Sequence, residues 1–392
     1  MRGLVHLLAL LLWLPFAVQA QELSPQEEQD KGYIASFISN NLSGVSRSVV
    51  ISGFSGALSS RATIRVLTVA DDTGVWLRME GLVLDWDRAA LLGGRIDITE
   101  LSADQITLLR APVRTATPPN PEAVAFALPE LPVSVNIAQL GITQITLGAP
   151  LLGEEVNLSV SGDVALQNGE GTARLLADRI GDQAGQFALT GSYSNITRIL
   201  ALTLDLTEAP DGIIARVLNL PGRPAVHLAL EGTAPIDDYV AELSVATDGT
   251  ERIAGTAGLV AIADPDGGPA GRGFSLDVRG DVTPLLAPGY HDFFGTDVQL
   301  VVQGQNDADG AAHLTALQIT TASFSLAGTA DFAADGWPER FALKGQIGTE
   351  GGEPVVLPIA GAATAVEAMT LDVQFDAAAD AGWTGEFAGR DG

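Results

Sequence analysis

The chain has 392 residues, with 48 Asp and Glu against 21 Lys and Arg, a formal net charge of −27. Hydrophobic residues make up 46% and charged residues only 18%, with 44 Gly, 20 Pro and no Cys. So acidic a surface repels nucleic-acid phosphates, so apolar a chain is no disordered acidic tail, and the lack of Cys excludes a disulfide scaffold, thiol catalysis and Cys-ligated zinc. Residues 1–20 place Arg2 ahead of an apolar run from Leu4 to Val18, with small residues Val18 and Ala20 at −3 and −1 of a cut before Gln21. The run is shorter than the roughly twenty residues of a spanning helix. It reads as an export signal, with an uncleaved inner-membrane anchor as the rival reading. Either way the remainder is expected outside the cytoplasm.

Residues 24–42 read as a helix. Ser24 is the N-cap, Pro25 suits the first turn, Glu27 completes a capping box, and Ile34, Phe37, Ile38 and Leu42 form one apolar stripe before Gly44. From residue 48 the period becomes two. Leu82, Leu84 and Trp86 alternate with Val83, Asp85 and Asp87, Ile96 and Ile98 alternate with Asp97 and Thr99, and Ile106 and Leu108 follow. Such alternation makes strands with one dry and one wet face. Pro112, Pro118, Pro119, Pro121, Pro129 and Pro132 then break the pattern.

Beyond the prolines, short alternating strands recur, each expected to end in a glycine. Gly232, Gly255, Gly280, Gly304 and Gly328 are 23 to 25 residues apart, which suggests stacked hairpins. One face carries Val226, Leu228, Leu230, Leu276, Val278, Val298, Leu300, Val302, Phe324, Leu326, Leu371, Val373 and Phe375. The other carries His227, Glu231, Asp277, Arg279, Gln299, Asp372, Gln374 and Asp376. Two helical insertions are expected. One runs from Asp211 to Leu220, capped by Asp211, with Ile213, Ile214, Val217 and Leu218 on one side; the other runs from Pro284 to Phe294.

A sheet with one apolar face must bury it by closing into a barrel, stacking on a second sheet, or curling into a trough that needs an occupant. Aromatics are only 6% of the chain, thin for a sandwich core, whereas Leu, Val, Ala and Ile would line a smooth hydrocarbon-compatible channel. Catalytic signatures are sparse. His227, His291 and His313 have no ligand partners at zinc spacing, and no HExxH, GxSxG or P-loop is present. The Asp-rich stretches 264–268 and 306–310 and the pair Asp237-Asp238 read as turns. No catalytic residue, metal site or cofactor is expected.

The segment from Ile34 to Pro112 resembles the start of the TamB family, the translocation and assembly module subunits of Gram-negative bacteria, within the AsmA-like group. The resemblance is carried by Gly53, Gly56 and Leu58, by Asp71 with Gly74 to Leu77, by Leu84 and Trp86, and by Ala89 to Leu92 with Gly94. The stretches 218–243 and 287–295 look like alphaproteobacterial versions. The resemblance implies a periplasmic, non-enzymatic protein in which the apolar face lines a groove for phospholipid between inner and outer membranes, or which assists outer-membrane protein assembly with the barrel partner TamA.

The expected fold is mainly β, an elongated, curled antiparallel array, groove- or taco-like, with a few short helices. Its expected parts are a signal or anchor (1–20), an N-terminal helix and first β unit (21–116), a Pro-rich linker (117–133), and a repetitive array (134–392) expected to continue in a longer protein. Two other readings stay open. One is a secreted β-sandwich scaffold or adhesin-like protein whose apolar face is simply its core. The other is a hydrolase in which a Ser converges with His227 or His313.

Overall fold

The computed structural model describes residues 48–56, 60–113, 134–262, 271–307, 310–349, 352–358, 364–378 and 383–390. The expected signal, the helix over 24–42, the linker over 117–133 and the loop over 264–268 lie outside the described residues. Of the described residues, 69% are in strands and 8% are helical.

Among the described residues, nineteen strands make one sheet. Its first wall contains β1 (Ser48–Ser55), β2 (Arg61–Asp71), β3 (Gly74–Asp87), β4 (Arg95–Leu108) and β5 (Ser134–Leu147). The middle contains β6 (Val156–Gln167), β7 (Glu170–Ile180), β8 (Gly185–Ser194), β9 (Ile199–Glu208), β10 (Val226–Pro235), β11 (Asp238–Thr247) and β12 (Thr250–Ile262). The last wall contains β13 (Gly271–Gly280), β14 (Val298–Asn306), β15 (Ala312–Thr320), β16 (Phe324–Phe332) and β17 (Pro338–Gly348). The short pair β18 (Val355–Val356) and β19 (Ala365–Val366) stands apart as a two-stranded sheet, and β20 (Ala368–Asp376) and β21 (Trp383–Arg390) complete the large one.

Within the large sheet each strand pairs antiparallel with the next in chain order, β17 passing over the β18–β19 pair to β20, and one pair departs from this. β4 and β5 run parallel, from Arg95 opposite Ser134 to Leu108 opposite Leu147. A parallel pair needs a crossover of a dozen or more residues, and the Pro-rich stretch between these strands supplies it. The sheet therefore does not divide there. The sheet is not closed into a barrel.

Tight turns carry the meander where a left-handed backbone is required. Asn168-Gly169 joins β6 to β7 with φ of 51° and 73°, and Asp248-Gly249 joins β11 to β12 with φ of 50° and 75°. These are the dipeptides that a two-residue hairpin with both central φ positive demands.

Burial is lateral, within a face, rather than between layers. Val49, Val69 and Leu77 lie in register on β1, β2 and β3 and pack with Ile51, Leu67, Met79, Ile106 and Leu108. Ile98, Val135 and Ile137 form a second cluster with Leu84, Trp86, Ile96 and Leu101. Among the described residues, the largest fully buried side chains are only Val156 and Thr247. Two packed sheets would bury whole rows of larger aliphatics.

The first wall is pinned by an ion pair. Arg110, just past β4, grips Asp71 at the end of β2 through both guanidinium ends, at 2.7 and 2.8 Å, and also donates to the Gly74 carbonyl at 2.8 Å. The Val113 amide donates to the same carboxylate at 2.9 Å. The Asp71 side chain is 3% exposed. The Arg110 guanidinium, then the Val113 and Thr73 hydrogen bonds, hold its carboxyl far below the usual carboxylate range. A depressed folded-state value contributes stability that is fully present above the unfolded value, near pH ~4, and is lost as pH falls below it. Arg110→Gln is therefore expected to lower the urea midpoint of the β1–β4 region at pH 7. It is also expected to flatten the decline of that midpoint between about pH 5 and pH 2. Urea titrations at several pH values, read by the fluorescence of Trp76 and Trp86, check both.

Candidate functional site

The register places all thirteen predicted apolar residues on one face of the sheet. Leu230 is opposite Leu204 and Leu243, Leu243 opposite Gly255, Gly255 opposite Val278, and Val278 opposite Leu300. The row continues through Ile319, Leu326 and Gly345 to Leu371. A neighbouring row joins Leu276, Val302, Leu317, Gly328, Leu343 and Val373. Val226 and Leu228 alternate with His227 on β10, Val298 lies opposite Gly280, Phe324 opposite Ile347, and Phe375 stacks on Phe341 with ring centroids 5.3 Å apart. Of the thirteen, Val226 is buried and the other twelve are only half-buried.

The same face extends further than the sequence reading placed it. Leu158 and Val160 of β6, Leu175 of β7, and Phe187 and Leu189 of β8 lie in register with Leu206 and Leu204 of β9. The alternation of Phe187, Leu189 and Gly191 with Ala188 and Thr190 carries the same two-residue signal.

The periodic glycines lie on this face, and most do not end strands. Gly232, Gly255, Gly304 and Gly328 are interior to β10, β12, β14 and β16, and only Gly280 is a strand end. Their role is steric. A Cβ at Gly255 would come within 2.0 Å of the Asp277 carbonyl oxygen, at Gly280 within 1.8 Å of that of Arg252, and at Gly328 within 2.2 Å of that of Ala342. On the opposite face Gly258 meets Ser275 Oγ and Gly273 meets Val260, and Gly271 comes no nearer than 3.1 Å to the Asn306 carbonyl oxygen. Backbone approach that is closest on one face is what bending toward that face produces, and glycine is the residue that permits it. The apolar face is thus the inside of the curl.

Helical insertions occupy one rim of this trough. From β5 onward the odd-numbered strands through β17 finish on the same side, and every second connection there, every fourth in the chain, carries an insertion. These are α1 (Ala149–Leu152) after β5, α2 (Ile213–Val217) after β9, α3 (His291–Phe294) after β13, and the β18–β19 hairpin after β17. The true structural repeat is therefore four strands, not the two implied by the glycine spacing. Ala149-Pro-Leu-Leu152 and Thr283-Pro-Leu-Leu286 are its sequence trace. Neighbouring insertions touch. Asn219 to Arg223 after α2 and Leu285 to Tyr290 before α3 line a hollow of about 640 Å³, and Phe293 of α3 stacks on Phe324 at 5.8 Å.

Two details of the insertions differ from expectation. α2 is capped by Glu208, not Asp211: the Glu208 carboxylate accepts from the Ile213 and Ile214 amides at 3.1 and 2.8 Å, while Asp211 sits at φ 63°. Ala215 is fully buried, but Val217 and Leu218 are 61% and 64% exposed, so the expected apolar stripe does not pack as one. The region 283–294 is two 3₁₀ turns, Thr283–Leu285 and Pro288–Tyr290, followed by the one-turn α3. Glu208→Ala removes the cap, which costs about 1 kcal/mol. Faster amide exchange over 212–220, with β8 and β10 unchanged, is the expected readout.

The outer face is a polar ladder. Lys344 meets Asp372 at 2.9 Å, and Gln299 donates to Asp277 at 3.0 Å. His227 pairs with Asp205 at 2.7 Å. His313 is held between Asp331 at Nδ1, 2.8 Å, and Asp307 at Nε2, 3.1 Å, and the two carboxylates raise its pKa above the ordinary histidine value. They sit on opposite nitrogens and do not converge on one point. Among the described residues, no histidine hydrogen-bonds to a serine, and no group of three His, Cys, Asp or Glu is arranged to hold a metal. Asp237 is paired with Arg198, apart from Asp238, which begins β11.

Comparisons with protein-family models, with curated proteins and with solved structures found no match in any of the three. The resemblance to the TamB family rests on the residues quoted for it. Among the described residues no helix is long and apolar enough to cross a membrane.

Proposed function

We propose that this protein is a non-enzymatic component of the Gram-negative cell envelope that shields phospholipid acyl chains in the trough of its curled sheet. The observation that carries this reading is the half-buried apolar face, continuous in register across β6 to β17 and on to β20. A face of Leu, Val and Phe left in water is an association hazard unless an apolar occupant covers it. An acyl chain suits a smooth aliphatic lining, and each buried methylene favours entry by about 0.8 kcal/mol. The acidic outer face keeps the sheet soluble and discourages contact with anionic membrane surfaces.

In the TamB-type reading the protein works in the periplasm, released by cleavage of its signal or, in the rival reading, tethered to the inner membrane by its N-terminal segment. It passes phospholipid between the membranes, or assists outer-membrane protein assembly with TamA. The trough contains no nucleotide site among its named residues, so direction comes from a partner. The test is mass spectrometry of lipid extracted from protein purified after export. Stoichiometric phospholipid is expected. A lipid-free, stably folded monomer would overturn the reading and favour a scaffold.

A further inference from the structure

At the insertion-bearing rim of the trough, the apolar row of β7 ends in an arginine. Leu175, Ala177 and Arg179 alternate on the same face, opposite Gly162, Val160 and Leu158 of β6. The Arg179 side chain is only 10% exposed. Its Nη2 donates to Glu154 at 3.0 Å, but its Nη1 is buried with no partner among the described residues. Arg216, carried over the rim by α2, takes the other oxygen of the same carboxylate, and its Nε is likewise buried and unpartnered. Glu208, at the end of β9, accepts from the α2 amides, and its Cγ and the Arg179 Cδ each stand 3.7 Å from the Cβ position of Gly185.

Two guanidinium groups thus share one carboxylate, with Glu208 beside Arg179 across Gly185, and two buried N–H donors are left without an acceptor among the described residues. A buried donor left without an acceptor is costly. An oxyanion would supply acceptors to both. Guanidinium groups match the oxygens of a phosphate with forked hydrogen bonds. The neighbouring position is Gly185, where even a Cβ would come within 3.4 Å of the Arg179 Cβ.

We propose that Arg179 and Arg216 form an anion-binding site for a phosphate-type oxyanion at the rim of the apolar face. Free phosphate and a phospholipid headgroup share that chemistry. The headgroup source rests on the function proposed above, because it requires acyl chains to lie on the adjoining apolar row. The site itself rests only on the two arginines.

The test titrates the protein at low salt with three probes: inorganic phosphate, dihexanoyl phosphatidylglycerol and uncharged dihexanoylglycerol. Arg179→Gln and Arg216→Gln are each expected to weaken phosphate and the phospholipid about tenfold, as loss of a charge-assisted hydrogen bond implies. Binding of dihexanoylglycerol should not change. Glu154→Gln, which frees both arginines, should tighten phosphate. Phosphate binding that depends on the arginines, with neither lipid bound, would keep the site and overturn the acyl-chain reading. Both lipids bound equally, with no effect of either arginine, would overturn the site and keep the trough. Should the arginine variants fail to fold, an unchanged phosphate affinity in Glu154→Gln would overturn the site.

Discussion

A protein carrying Leu300→Asp and Leu326→Asp together is expected to stay folded and to lose its bound lipid. The two residues stand in one row, linked through Ile319 on the strand between them, so the carboxylates would sit two strands apart inside the trough. In a closed core an unpaired carboxylate is severely destabilising. Here the face is only half-buried, so each carboxylate keeps access to water. The cost is then the partial loss of Leu burial, about 1–2 kcal/mol per site. An acyl chain, by contrast, would have to strip water from both charges to lie in that row, and affinity should fall by tenfold or more, at about 1.4 kcal/mol per decade.

The matched control places the same charges on the outer face. Gln299 and Ser325 are linked through Thr320 in the adjoining row of the same strands. Gln299→Asp with Ser325→Asp should retain lipid. Circular dichroism reads the fold and mass spectrometry of extracted lipid reads the occupant. Global unfolding of the inner-face variant would show that the apolar rows are a sealed core. Retained lipid would show that the occupant lies elsewhere.

Alanine at Gly255 or Gly328, both inside strands, is expected to be strongly damaging. The added Cβ meets the Asp277 carbonyl oxygen at 2.0 Å and the Val278 Cα at 2.7 Å in the first case, and the Ala342 carbonyl oxygen at 2.2 Å in the second. Backbone cannot swing aside as the tip of a side chain can, so the strands must part or the curl must relax. Overpacking of this kind costs about 1–3 kcal/mol, and the two sites, four strands apart in the sheet, should add. Gly258→Ala is the comparison, because there the nearest atom is the hydroxyl of Ser275, which can rotate away. Urea midpoints rank the three variants. Hydrogen exchange should show the loss of protection confined to β12 and β13 for Gly255→Ala and to β16 and β17 for Gly328→Ala, since each strand is held chiefly by its ladder neighbours.

How much of this was legible can be judged from particular residues. The alternation in 226–230, 276–278, 298–302, 324–326 and 371–375 identified strands and separated an apolar from a polar side on each, because the two-residue period is a property of the extended backbone itself. The same logic failed for the glycines. A Gly after an alternating run looks like a stop, yet Gly232, Gly304 and Gly328 sit inside strands. What distinguishes a stop from a bend is the closeness of the next strand's carbonyl, and that neighbour is set by pairing. Asp211 looked like the cap of α2 because it lies next to the helix, but the carboxylate that reaches the amides is Glu208, brought there by the end of β9. Arg179 was unremarked because one charged residue at the end of an apolar strand has no local signature.

The sequence by itself determined the class of protein: acidic, cysteine-free, β-rich, with each strand apolar on one side and polar on the other. Those features are local, written in composition and in the alternation of neighbouring residues. Tertiary structure alone decided that all the apolar sides face the same way in one unbroken sheet, that the sheet bends toward them at its glycines, and that insertions after every fourth strand bring Arg179, Arg216 and Glu154 together at one rim. Each of these depends on register between strands, where a slip of one residue would turn an entire strand over, and register is set by pairing across the sheet rather than by any single stretch of chain.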